Sequence, residues 1–155
     1  MSFVLGSRSL SRLDGVHPDL VKVVLRAIQI TEVDFTVLEG LRTKERQKKL
    51  VASGASKTMN SRHLTGHAVD LGAYVDGGVR WDWPLYHKIA DAMKRASVDV
   101  GVPIEWGGAW HLKPFGSWVG SAEGAMTDYV TLRKSQGKKP FVDGPHFELS
   151  RGVYP

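Results

Sequence analysis

Two short segments concentrate residue types that can bind a metal ion or move a proton. Residues 61–70 contain His63 and Asp70, and residues 143–148 contain His146. Two imidazoles and one carboxylate form a ligand set that suits zinc and leaves one position for water. Zinc in such a site lowers the pKa of its bound water and makes a nucleophile available at neutral pH. The alternative is a hydrogen-bonded polar cluster that holds no metal.

The spacing of the first segment requires a turn. Seven residues of extended strand would separate His63 from Asp70 by about 23 Å, too far for both side chains to bind one ion. Gly66 lies between them and accepts turn dihedrals without a steric penalty. We therefore expect the chain to fold back near Thr65 and Gly66, with Asp70 projecting from the strand that follows.

A hydrolytic site also needs a general base and a cation that stabilises the developing oxyanion. Asp143 lies three residues before His146 across a Gly-Pro turn and is the first candidate for the base. Glu148 competes for this role, because it lies two residues after His146 and on the same side of a strand. Asp143 could instead only open an Asx-turn. Arg42 is the candidate cation, with a surface ion pair as the alternative.

The two segments resemble the motifs of the VanY/D-Ala-D-Ala carboxypeptidase-type zinc peptidases. Within that group the sequence is most similar to phage endolysins with L-alanyl-D-glutamate peptidase activity. The resemblance covers nearly the whole chain and weakens between residues 111 and 142. The family's Trp-Gly-Gly segment often continues Asp-Trp, whereas this chain has Ala109 at the acidic position. The matching residues are Ser61, His63, Gly66, Ala68 and Asp70, then Asp143 and His146, and also the Gly40-Leu41-Arg42-Thr43 segment.

The resemblance implies a role for each matching side chain. It implies that His63, Asp70 and His146 bind one Zn²⁺ per chain, with Asp143 as the general base and Arg42 as the group that stabilises the substrate carbonyl or oxyanion. Three further residues are expected to support the site or to bind substrate: Ser61, Glu148 and Trp110. Two other tryptophans are also candidates for lining the cleft: Trp106 and Trp118.

The implied reaction is hydrolysis of the L-Ala-D-Glu bond in peptidoglycan stem peptides, which lyses a bacterial host. The same chemistry on another bond would make the protein a D,D-carboxypeptidase or dipeptidase. Composition permits a third possibility, a non-catalytic basic binding protein. Lys and Arg outnumber Asp and Glu by 21 to 16, and such a basic surface favours anionic polymers. No nucleic-acid-binding motif is present, so we do not expect a nucleic-acid partner.

Composition also limits the architecture. The 155 residues suffice for one domain with its own core, and the lack of cysteine excludes disulfides and thiolate metal sites. We expect one peptidase domain over residues 1–155, with residues 111–142 as an insertion or lid and no separate wall-binding domain. The predicted fold is α+β, a small antiparallel sheet flanked by two or three helices. The resemblance implies the D-Ala-D-Ala carboxypeptidase and Hedgehog-like type of zinc peptidase.

Local patterns predict the individual elements. Apolar stripes, proline starts and glycine ends indicate helices, whereas runs of β-formers indicate strands. The predicted helices cover residues 18–30, 43–54 and 84–100. The predicted strands cover residues 35–38, 67–75, 104–106 and 147–149.

The sequence shows neither a membrane span nor a secretory signal at its N-terminus. We therefore expect no stable membrane insertion. The resemblance implies that the protein accumulates as a monomer in the cytoplasm of an infected bacterium, is released by a holin-type membrane partner, and then acts on the cell wall.

Overall fold

The computed structural model describes residues 2–155. This part of the chain contains five α-helices and five β-strands. The helices are α1 (Ser7–Arg12), α2 (Pro18–Ile30), α3 (Lys44–Ala52), α4 (Trp83–Val100) and α5 (Ala122–Ser135). The strands are β1 (Phe35–Glu39), β2 (Ala68–Val75), β3 (Gly78–Arg80), β4 (Ile104–Trp106) and β5 (His146–Leu149). Two 3-10 helices, Arg62–Thr65 and Phe115–Ser117, complete the set of helical elements.

The strands form one antiparallel sheet in the order β1-β2-β5-β4, and β3 pairs with β2 outside this path. The register between β2 and β5 places Asp70 directly opposite His146, and Ala68 opposite Glu148. On the next pair, Glu105 of β4 lies opposite Glu148. The sheet therefore brings together side chains that are distant in the sequence.

The helix boundaries follow from local capping. His17 caps α2 by accepting a hydrogen bond from the backbone of Asp19, and Pro18 occupies the first turn. Thr43 caps α3 in the same way, because its hydroxyl accepts from the backbone N–H of Arg46. The left-handed Gly101 ends α4.

The core lies between the sheet and the paired helices α2 and α4. Helix α2 turns its apolar stripe inward, whereas the more polar α3 buries only Gln47. Apolar side chains from both helices and the central strands are fully buried, among them Leu20, Leu71, Ile89, Met93, Ile104 and Phe147. Burial of this shared apolar surface holds the site-bearing strands against the helices.

The α+β class and the small antiparallel sheet are confirmed, but the expected number of helices was too low. Helix α1 is only six residues long, too short to show a helical period in the sequence. Helix α5 lies within residues 111–142 and buries Ala122, Ala125 and Tyr129. Two of these three residues are alanines, so the buried face of α5 gave little hydrophobic signal. No helix within residues 2–155 is both long enough and apolar enough to cross a membrane.

Candidate metal centre and catalytic cleft

Two histidines converge on one carboxylate at the middle of the sheet. The Nε2 atom of His63 lies 3.2 Å from Oδ1 of Asp70, and the Nδ1 atom of His146 lies 3.3 Å from the same oxygen. Asp70 and His146 are opposite each other on β2 and β5. His63 comes instead from the 3-10 helix that precedes β2.

A left-handed glycine makes the approach of His63 possible. Gly66 has a φ of 74°, and a Cβ atom added to it would lie 2.2 Å from the carbonyl oxygen of Gly15. No other residue fits this turn without displacing the backbone. Ser61 begins the 3-10 helix by accepting a hydrogen bond from the backbone N–H of His63. The expected fold-back between His63 and Asp70 is therefore confirmed.

The remaining nitrogen of each histidine has a partner that fixes the orientation of the ring. The Nδ1 atom of His63 is 2.8 Å from the carbonyl oxygen of Gly40. The Nε2 atom of His146 is 2.9 Å from Oε1 of Glu148, a buried carboxylate that also lies 3.7 Å from the guanidinium of Arg62. Metal-binding histidines are typically oriented by such carbonyl or carboxylate partners.

The cluster fits a metal ion in its spacing and its chemistry. One ligand atom from each of His63, Asp70 and His146 lies within 4.8 Å of the others. Tetrahedral zinc with ligands at about 2.0 Å separates neighbouring ligand atoms by roughly 3.3 Å, close to the observed 3.2 and 3.3 Å. The three side chains can therefore bind a metal ion with little rearrangement.

The charges in the cluster are strongly coupled. Burial raises the pKa of Asp70, but hydrogen bonds with His146 and His63 outweigh it and hold that pKa well below its usual range. Burial lowers the pKa of His146, but its hydrogen bonds with Asp70 and Glu148 prevail and raise it to about 10. An incoming metal ion therefore competes with a proton for His146.

Asp143 is held beside the cluster by the Trp-Gly-Gly segment. Its backbone N–H donates to the carbonyl of Gly107 at 2.8 Å, and its carbonyl accepts from the N–H of His146 at 3.1 Å. Gly107 has no room for a side chain, because an added Cβ would lie 2.1 Å from the Asp143 carbonyl oxygen. Burial raises the pKa of Asp143, partly offset by nearby His146. A carboxyl group in this environment takes up a proton more readily than an exposed aspartate.

Arg42 lies next to Asp70, in a network of hydrogen bonds. Its guanidinium is 3.8 Å from Oδ2 of Asp70. Glu39 accepts from its Nε, and Gln47 accepts from its Nη1 at 2.8 Å. Nη1 is also 3.5 Å from the hydroxyl of Ser61. The arrangement fixes a buried positive charge next to the candidate metal ligands.

An open cleft of about 200 Å³ leads away from Asp143. Its walls consist of three aromatic side chains, one aliphatic side chain and the Asp143–Pro145 turn: Trp81, Trp83, Tyr86, Val142, Asp143, Gly144 and Pro145. Trp110 lies elsewhere at the site, with its ring centroid 5.4 Å from that of His146. Its Nε1 has no hydrogen-bond partner among residues 2–155.

The structure thus brings together every residue that the sequence singled out for the site, but it corrects the expected cleft lining. Trp106 is fully buried and donates to the carbonyl of Gly144, and the indole of Trp118 donates to Ser121. Sequence reasoning missed the cleft aromatics and two partners of Arg42: Trp81, Trp83, Tyr86, Glu39 and Gln47. The three aromatic residues within 81–86 were the available signal.

This combination of fold and site defines a class of protein. A small antiparallel sheet carries a His-Asp-His cluster suited to a metal ion, with a partly buried carboxyl group and an open cleft beside it. Such an arrangement is that of a metal-dependent hydrolase.

Comparison with known proteins identifies the family. A model of the family described as phage L-alanyl-D-glutamate peptidase matches residues 1–150. The L-alanyl-D-glutamate peptidase of Escherichia phage T5 is 30% identical over 153 residues, covering 96% of this chain and 99% of that protein. The L-alanyl-D-glutamate peptidase of Listeria phage A118 is 32% identical over 107 residues, covering 67% of this chain and 37% of that protein. The chain belongs to the phage L-alanyl-D-glutamate peptidase family.

A solved structure agrees with this assignment. The L-Ala D-Glu endopeptidase ChiX of Serratia marcescens superposes with a TM-score of 0.74 at 40% sequence identity. The match covers 98% of this chain and 94% of that one. The chain is therefore an enzyme, a peptidase of the kind that cleaves peptidoglycan.

Proposed function

We propose that this enzyme is a zinc-dependent endopeptidase that hydrolyses the L-Ala-D-Glu bond of peptidoglycan stem peptides. The convergence of His63, Asp70 and His146 near Asp143, a residue that lines an open cleft, is the observation that carries the proposal. Family membership supplies the substrate class and the bond. The roles of the individual residues rest on their positions.

His63 through Nε2, Asp70 through Oδ1 and His146 through Nδ1 would hold the zinc ion. When bound, zinc supplies Lewis-acid chemistry, lowering the pKa of water and polarising a carbonyl group. Gly40 and Glu148 keep the two imidazole rings in the orientation that presents these nitrogens. Three protein ligands leave a further position for water or substrate, as in other hydrolytic zinc sites.

Asp143 is the better candidate for the general base. Asp143 lines the cleft, and burial raises the pKa of its carboxyl group, which helps it to hold a proton during transfer. It would take a proton from the attacking water and deliver it to the amide nitrogen that leaves. Glu148 is instead hydrogen-bonded to His146, which lowers its pKa against the effect of burial and commits it to orienting that ring.

Arg42 would stabilise negative charge on the carbonyl oxygen of the scissile bond. Its guanidinium is almost buried, with a side-chain exposure of 9%, so its charge is weakly screened by solvent. Glu39 and Gln47 hold it in place, which reduces the reorganisation needed during the reaction.

The wider setting follows from the family. We expect a monomer that works as one catalytic domain, with the basic surface favouring the anionic cell envelope. Residues 111–142 would act at the edge of the cleft as a lid. Release to the wall from the host cytoplasm would depend on a holin-type membrane protein.

Mass spectrometry of digested Gram-negative peptidoglycan tests the proposal. The purified protein is used as prepared, after chelation, and after zinc is restored. We expect stem peptides cut between L-Ala and D-Glu in the first and third samples only. Free D-alanine would reassign the enzyme to a D,D-peptidase, and cleavage that survives chelation would refute the metal-dependent reaction.

A further inference from the structure

The aromatic cleft beside Asp143 has features that the proposed chemistry does not use. Trp81 is 62% exposed and Trp83 is 43% exposed. Exposing two large apolar side chains so close together in the sequence is energetically unfavourable. Trp81 stacks on Tyr86 with ring centroids 5.9 Å apart and planes 19° apart. The exposed indole rings therefore form a supported apolar surface that leads to the candidate base.

Tyr86, which supports this surface, also carries a buried polar atom. The hydroxyl of Tyr86 is buried and lies near the backbone of Ala73, but it makes no hydrogen bond of normal geometry within residues 2–155. Burial raises the pKa of Tyr86 to about 12, so the phenol remains protonated and able to donate. The hydroxyl therefore points away from solvent, and the part of Tyr86 that lines the cleft is its ring.

We propose that Trp81, Trp83 and Tyr86 form a saccharide-binding subsite that holds the amino sugar of the glycan strand during cleavage of its stem peptide. This inference rests on the proposed function. In peptidoglycan the L-Ala nitrogen is joined through a lactyl group to an N-acetylated amino sugar. Only one residue and the lactyl group separate that sugar from the scissile carbonyl, a reach of about 8 Å.

Charge selects the sugar over the peptide as the occupant. Among residues 2–155, Asp143 is the only charged residue that lines the cleft. The D-Glu side of the scissile bond carries carboxylates, and a cleft with an acidic residue and no cation repels them. An N-acetylated pyranose ring instead carries no charge and offers apolar C–H faces that can stack on indole rings.

Kinetics on two matched substrates test the inference. The first is a stem tripeptide that carries its muramyl sugar, and the second is the same tripeptide with an N-acetyl group in place of the sugar. Loss of an aromatic contact of this kind corresponds to a change of about two- to tenfold. We expect Trp81→Ala to lower kcat/KM by that factor on the first substrate, chiefly through KM, and to leave the second unchanged. Trp81→Phe keeps an aromatic ring and should therefore retain most of the wild-type kcat/KM on the first substrate.

Tyr74→Ala is the control, because Tyr74 is an exposed aromatic residue that does not line the cleft. It should behave as wild type on both substrates. An equal loss on both substrates for Trp81→Ala would place the peptide in the cleft and overturn the inference, as would no loss on either. If wild type cleaves both substrates equally well, the subsite is refuted while the peptidase function stands. If wild type cleaves neither, the proposed function fails and the subsite fails with it.

Discussion

Glu148→Gln separates the role of a positioning residue from that of a general base. The substitution keeps the volume of a buried side chain that is 8% exposed and removes its charge. The glutamine oxygen can still accept from Nε2 of His146, but it binds the ring less strongly than a carboxylate does. Carboxylates that orient metal-binding histidines typically contribute 10- to 100-fold to metal affinity. We therefore expect zinc affinity to fall by roughly that factor.

The same substitution also weakens the environment of Arg62. Its guanidinium lies 3.7 Å from the Glu148 carboxylate and is buried, so it loses its nearby counter-charge. Removing one partner of a buried ion pair leaves an uncompensated charge and typically costs about 3–5 kcal/mol. We expect the free energy of unfolding to decrease by an amount in this range, measured by urea denaturation.

The assay is a zinc titration against a chromophoric chelator, followed by kcat at saturating zinc. If Glu148 only orients His146, saturating zinc restores kcat to within a few-fold of wild type. A loss of 10²- to 10⁴-fold at saturating zinc would make Glu148 the base and refute the assignment to Asp143. Glu105→Gln is the matched control, because Glu105 is a buried glutamate directly opposite Glu148 on β4. It should leave both zinc affinity and kcat close to wild type.

The other predictions concern the base, the Arg42 network, the turn and the metal. Asp143→Asn should lower kcat by about 10²- to 10⁴-fold with zinc affinity nearly unchanged, since it removes proton transfer but no ligand; unaltered kcat would refute its role. Burial raises the pKa of Glu39, but hydrogen bonds from Arg42 and Arg46 prevail and lower it. The stability that this ionised group contributes is present above its ordinary pKa and is lost as pH falls through the lowered one. Urea denaturation should therefore show Glu39→Gln to be less stable than wild type at pH 7 and nearly equal to it in strong acid. Gly66→Ala should destabilise the fold by about 1–3 kcal/mol and weaken zinc binding, because both the φ of Gly66 and its surroundings exclude a side chain. A melting temperature equal to that of wild type would contradict this. Zinc affinity, followed by calorimetry, should rise as pH increases from 6 to 8, because His146 must release a proton to bind; a flat profile would argue against this ligand.

The parts of the fold that could be predicted are those with local causes. The predicted bounds of α2 and β4 agree with the structure residue for residue, because a proline start and a short apolar run act within a few positions. The strand β3 was missed because all three of its residues are exposed. It exists through pairing with β2, which no local pattern reports.

The same difference between local and long-range causes applies to the site. The turn at Gly66 could be predicted from the residues between His63 and Asp70. The contact of His146 with Asp70 spans 76 positions and depends on the β2–β5 register, so spacing alone could not establish it. The residue types suggested a shared metal site, and the family resemblance decided between that and a metal-free polar cluster. The aromatic cleft was assigned to the wrong tryptophan in the case of Trp106, because the sequence does not show which face of β4 meets the core.

The charges around the cluster show what these long-range pairings contribute to the site. Asp70 and Glu148 lie on either side of the His146 ring, and Asp143 lies beside it. Buried carboxylates of this kind destabilise a fold unless cations offset them. Arg42 and Arg62 offset part of the charge from opposite sides of the cluster, and a proton or a divalent cation at His146 offsets more. In the proposed reaction the same arrangement would favour a metal ion. It would also leave Asp143, whose carboxyl group has no hydrogen bond from an arginine or histidine within residues 2–155, to exchange protons.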